Sequence, residues 1–126
     1  MNIAPAAQSS ELSACTDAEL IGRIAELGAS GRAEQSEFYQ RHARYLYSVL
    51  KRQCAGALAR SQQEVEDLVQ DTFRRAFERA ETFRSDEHVD SDQLRRRCRA
   101  WLGRIAKNLL ADALNRIREA STLDAL

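Results

Sequence analysis

Proline is almost missing from this chain. Pro5 is the only one in 126 residues, and glycine occurs just five times. Turns lean on both residues, so their scarcity argues against a loop-rich fold. No apolar run approaches the roughly 20 residues of a membrane span. The N-terminus lacks a basic stretch followed by an apolar one, so no secretion signal is read. Cysteine is sparse as well: Cys15, Cys54 and Cys98 are odd in number and far apart. That spacing suits neither a disulfide framework nor a zinc site. It fits reduced thiols, and with them a cytoplasmic location. Neither sign of charge is in excess, with 19 basic and 19 acidic residues. At 44% hydrophobic and 30% charged, the chain can bury one core and stay in solution as one domain.

Catalytic patterns are lacking too. His42 and His88 are far apart, and no nucleophile–base pair, glycine-rich phosphate loop or ligand-spaced Cys/His cluster is found. Asp67 and Asp71 lie one helical turn apart. Two monodentate acids on an exposed helix hold a cation poorly without further oxygens. We therefore expect no enzyme, no cofactor and no metal, and read the acids as a patch for a basic partner.

What is present is helical periodicity, with no strand pattern and no internal repeat. Residues 1–15 are small and polar and read as a flexible tail. Thr16 and Glu19 make a capping box for a first helix, Leu20, Ile24 and Leu27 give it an apolar stripe, and Gly28 ends it. A second helix is predicted from about Arg32 to Ala55, with Phe38, Leu46, Val49 and Leu50 recurring at helical spacing and His42 and Tyr45 near the same face. The third starts at a capping box of Ser61 and Glu64. Val65, Leu68, Val69, Thr72, Phe73, Ala76, Phe77 and Ala80 form its inner face, and Asp67, Gln70, Asp71, Arg74 and Glu78 its outer one. Phe83 to Asp92 reads as an acidic loop, with Ser91 or Asp92 capping a fourth helix from about Gln93 to Arg118. The fold expected is all-α, a compact bundle of four main helices.

Charge is unevenly placed. Arg95, Arg96, Arg97, Arg99, Arg104, Lys107, Arg116 and Arg118 surround a single acid, Asp112, and the only tryptophan, Trp101, lies among them. On the helical wheel Leu94, Cys98, Leu102, Ile105, Leu109 and Ala113 share one face. Arg97, Arg104, Lys107, Asn108 and Asn115 cluster opposite, with Trp101 at the seam. A basic helix face beside one aromatic suits nucleic acid. Gly103 lies on the polar side, where it is either required by a close neighbour or simply tolerated. The acids collect in Glu11, Asp17, Glu19 and Glu26, and again in Glu64, Glu66, Asp67 and Asp71. Surfaces of opposite sign suggest two different partners; ordinary solvated helix faces are the alternative.

Two strings carry a resemblance. One is Asp67-Leu68-Val69-Gln70-Asp71-Thr72-Phe73, followed by Arg75-Ala76-Phe77 and Phe83. The other runs from Ala100-Trp101-Leu102-Gly103-Arg104 through Lys107-Asn108 to Asp112-Ala113-Leu114. In this order they resemble region 2 of bacterial RNA polymerase sigma factors, in particular the extracytoplasmic-function group, with residues 16–119 forming the domain. The resemblance implies that Asp67, Gln70 and Asp71, with Arg74 at the edge, dock on the β′ clamp helices of core RNA polymerase. It also implies that Arg97, Trp101, Arg104, Lys107, Asn108 and Asn115 face the single-stranded non-template strand of the minus-ten promoter element, the loop Arg84 to Asp92 forming part of a pocket for a flipped base. An anti-sigma factor is a further implied partner.

The chain departs from the pattern in three places. Ser85 to Cys98 matches no clear motif, Phe77 stands where tryptophan is common, and no second helical domain follows Leu126. Residues 120–126 are accordingly read as the start of a linker to an absent region 4 domain. An alternative function is a sigma-like module that sequesters an anti-sigma factor without binding DNA.

Overall fold

The computed structural model describes residues 11–54, 62–84 and 89–125. Four helices make up the bundle: α1 (Asp17–Leu27), α2 (Arg32–Cys54), α3 (Gln62–Glu78) and α4 (Ser91–Ala125). Two short 3-10 turns, Gly28–Ser30 and Ala80–Thr82, punctuate it, and no strand occurs among the described residues. Both α2 and α4 pack on α3, while α1 lies against the other three helices.

The first helix forms as its sequence signals imply. The Thr16 hydroxyl accepts from the Glu19 amide at 3.1 Å, and the Glu19 carboxylate accepts from the Thr16 amide at the same distance. Gly28 terminates the helix at φ 55°, a left-handed value that costs glycine little. Its apolar stripe differs in one member from the expectation. Leu20, Ile21 and Ile24 are buried, whereas Leu27 is 43% exposed at the helix end.

Phe38, His42, Leu46 and Leu50 run at four-residue steps along α2, and all are essentially fully buried. Val65, Val69, Thr72, Phe73 and Ala76 face them from α3, with Leu68 and Phe77 partly covered. Phe77 belongs to an aromatic cluster, its ring centroid 6.2 Å from Phe38 and 6.0 Å from Phe73. Thr72, fully buried, satisfies its hydroxyl by donating to the Leu68 carbonyl at 2.7 Å. From α4, Leu94, Cys98, Leu102, Ile105, Ala106 and Leu110 are buried, with Leu109 and Ala113 at the margin.

Three boundary expectations are corrected. Packed structure begins before Thr16: residues 11–13 form a helical turn, Leu12 is only 5% exposed, and the Leu12 and Ser13 carbonyls accept from Arg41 Nη2. The cap of α4 is Asp90, whose carboxylate accepts from the Gln93 amide at 2.8 Å, so the helix begins at Ser91. At its far end α4 continues to Ala125, through most of the residues expected to be linker. No helix breaker occurs there, and helix continues by one hydrogen bond per residue once it is nucleated. The Ser61 member of the second expected capping box, the Cys54 side chain and His88 lie outside what is described.

Candidate nucleic-acid interface and docking face

Both expected surfaces are laid out by helix periodicity. On α3, Asp67, Gln70 and Arg74 are exposed and Asp71 is half-exposed, all opposite the buried Val69 and Phe73. Asp71 and Arg74 form an ion pair one turn apart along the helix. A partner that offers a cation to Asp71 therefore competes with Arg74. The competition is mild, because exposed pairs of this kind contribute about 0.3–0.5 kcal/mol.

On α4, Arg97, Arg104, Lys107, Asn108 and Asn115 are exposed, and Trp101 is half-buried beside them. Trp101 does not float at the seam. Its ring meets Phe83 edge to face at a centroid distance of 5.3 Å, so the turn after α3 props the indole from behind. Such a pair orients the ring and contributes about 0.5–1.5 kcal/mol beyond its buried area. Of the loop expected to line a base pocket, residues 85–88 lie outside the described residues, and Arg84 donates to the Glu81 carbonyl at 2.7 Å. The outer face of α3 borders α4. Asp71, Arg74, Arg75 and Glu78 of α3 share a cleft of about 220 Å³ with Leu109 and Arg116 of α4.

A Cβ built on Gly103 would meet nothing within 4 Å. Crowding inside the domain is therefore not why glycine stands there.

Sequence reasoning passed over a polar cluster at the junction of α1, α2 and α4. His42, 1% exposed, has Nε2 3.2 Å from Asp17 Oδ1, a contact too poorly aligned to count as a hydrogen bond. Arg41 Nη1 donates to the same oxygen at 3.2 Å, and Arg41 Nε to Glu37 at 2.9 Å. Arg99 Nε donates to His42 Nδ1 at 3.3 Å, its Nη2 reaches the Arg41 carbonyl at 3.5 Å, and its guanidinium lies 4.5 Å from the Tyr45 ring centre. Burial pushes the Asp17 carboxyl up, but its contacts with His42 and Arg41 outweigh that and hold it below the usual value. Burial, with the Asp17 charge, pushes the Cys98 thiol far above the ordinary range, which makes it an inert core residue. One signal was available in the sequence: His42 falls in register with Phe38, Leu46 and Leu50, a stripe in which a polar side chain must find partners.

No helix among the described residues is long and apolar enough to cross a membrane. Comparison with curated proteins and with solved structures gives no match. The family model for sigma-70 region 2 matches residues 38–120, which takes in most of α2, all of α3 and most of α4. The chain belongs to the sigma-70 region 2 family, domains of transcription initiation factors, not enzymes, that bind RNA polymerase and act in promoter melting.

Proposed function

We propose that this chain is the region 2 domain of an extracytoplasmic-function sigma factor, working in the cytoplasm. Asp67, Gln70, Asp71 and Arg74 dock on the β′ clamp helices of core polymerase. Arg97, Trp101, Arg104, Lys107, Asn108 and Asn115 bind the non-template strand of the minus-ten element as it opens. An anti-sigma factor is proposed as a further partner on the strength of the resemblance.

The observation that supports this reading most is the setting of Trp101: one face braced by Phe83, the rest beside exposed Arg97, Arg104 and Asn108. A braced, half-exposed indole is ready to stack a base, and nearby guanidinium and ammonium groups meet the phosphates. The sequestering alternative has no use for such a face.

Magnitudes explain the division of labour. Stacking a base on an aromatic contributes about 1–3 kcal/mol. Extracting a base costs a few kcal/mol. One tryptophan can thus trap a base or two but cannot hold a bubble of about a dozen pairs, at roughly 1.4 kcal/mol per stacking step. The free domain should bind single strands weakly and open duplex hardly at all. Docking on polymerase supplies a second anchor and a high effective concentration.

The test is capture of core polymerase by the native domain and by Asp67→Arg with Asp71→Arg. The native domain should capture polymerase, and the double variant should not, while keeping its thermal transition. Capture by both would remove the clamp-helix assignment. Capture by neither would favour the sequestering module.

A further inference from the structure

Arg99 stands in the middle of the basic run, two residues from both Arg97 and Trp101. By sequence it looks like another phosphate contact. At about 100° per residue it lies about 160° around the helix from both, on the opposite flank of α4. Its side chain is engaged there with His42 Nδ1, the Arg41 carbonyl and the face of Tyr45. Among the described residues no carboxylate pairs with it; its partners are a ring nitrogen, a carbonyl and an aromatic face.

We propose that Arg99 is a positioning residue for the DNA-reading face, acting through Trp101 and making no DNA contact of its own. The proposal rests on the reading of α4 as that face. Cys98 and Leu102, both fully buried, seat α4 on the bundle. The interdigitated apolar stripe sets which side of α4 faces the bundle, and directional contacts on its two flanks add to that hold. Two such contacts narrow the setting of α4 further. Trp101 on Phe83 holds one flank, and Arg99 on His42 and Tyr45 holds the other. Behind His42 stands Asp17, itself held by Arg41, so the second hold reaches through α2 to α1.

Arg99 suits this task because its planar fork serves two acceptors and an aromatic face at once, which an ammonium cannot do. The direction of its Nε–H toward His42 Nδ1 requires a lone pair on that nitrogen. With that bond made, a neutral His42 carries its proton on Nε2, facing Asp17. The same geometry argues against a cation among Asp17, His42 and Cys98, whose ligand atoms lie within 4.8 Å of one another. A metal on Nε2 would put a proton on Nδ1, against the Arg99 donor, and Arg41 already occupies the Asp17 oxygen.

Trp101 is the chain's only tryptophan, so intrinsic emission reports its setting directly. The experiment compares the 126-residue chain with Arg99→Gln, Arg99→Lys and Arg104→Ala. It records helicity, Trp101 emission without DNA, and the affinity and salt dependence for a single-stranded minus-ten oligonucleotide.

Arg99→Gln should keep its helicity, shift the Trp101 emission to the red and weaken oligonucleotide binding about two- to thirty-fold, the span of such indirect couplings. Its salt slope should stay that of the native chain, whereas Arg104→Ala lowers the slope by about one. Arg99→Lys keeps the charge and loses the fork, so it should resemble Arg99→Gln and also covers the case in which the glutamine variant fails to fold. A slope lowered by about one with emission unmoved would make Arg99 a phosphate contact and overturn the proposal. Native emission and affinity in Arg99→Lys would overturn it as well. If the native chain binds no oligonucleotide, the DNA-face reading fails, while the emission comparison still tests whether Arg99 positions Trp101.

Discussion

The two flanks of α4 hold arginines that look alike in sequence and live in different surroundings. On the inner flank Arg99 reaches His42, the Arg41 carbonyl and Tyr45. On the outer face Arg104 and Lys107 stand in solvent with Asn108 and Asn115. Folding engages the first set within the bundle and leaves the second exposed. A cationic run thus divides into residues that hold the helix and residues that the helix presents. On the proposed reading, only the second kind meets DNA.

Several measurements would break or sharpen that contrast. The largest effect should come from the stripe behind the inner flank. Phe38→Ala removes the ring that meets His42, Phe73 and Phe77 and should cost about 3–5 kcal/mol in a denaturation experiment. A loss below about 1 kcal/mol would mean that the core is organised differently.

Acid should act on the inner flank next. The folded Asp17 carboxyl lies below its ordinary value of 3.8, so the unfolded chain takes up its proton first as pH falls. The stability this group confers is complete above about pH 3.8 and is lost as pH falls through the lower folded value. Asp17→Asn should flatten that acid limb, whereas substitutions on the outer face should leave it unchanged.

The outer face should respond through DNA alone. Arg104→Ala and Lys107→Ala should each lower the salt slope of single-strand binding by about one and move stability by no more than about 0.5 kcal/mol. An unchanged slope would take that residue off the interface.

Gly103→Ala should have the smallest effect and the most local meaning. With open space around a built Cβ, it should stabilise the free domain by up to about 1 kcal/mol. Stabilisation joined to weaker DNA binding would show that the nucleic acid passes close to that position.

Much of this was legible before the fold was in view. The Thr16–Glu19 box, Gly28 as the stop and the two-faced pattern of α3 were readable because they are local: each depends on residues three or four apart on one helix. The exposed set Arg97, Arg104, Lys107, Asn108 and Asn115 followed from the same periodicity. What was misread depended on contacts between helices or on competition at an end. Leu12 reads as tail because nothing in its neighbours reveals that Arg41, 29 residues away, holds its carbonyl. Asp90 outcompeted Ser91 and Asp92 as the cap, a choice among three adequate residues that backbone geometry decides. Periodicity puts His42 on a helix face, but its partners lie on α1 and α4.

The sequence by itself determined the helices, their inner faces and the family, because hydrophobic periodicity and short capping motifs act over a few residues. Only the tertiary structure decided which charges are spent inside and which remain outside, because pairing Asp17 with His42 and Arg99 with Tyr45 brings together groups on different helices. Such pairs exist only once the apolar stripes have chosen their neighbours, and no local rule states them in advance.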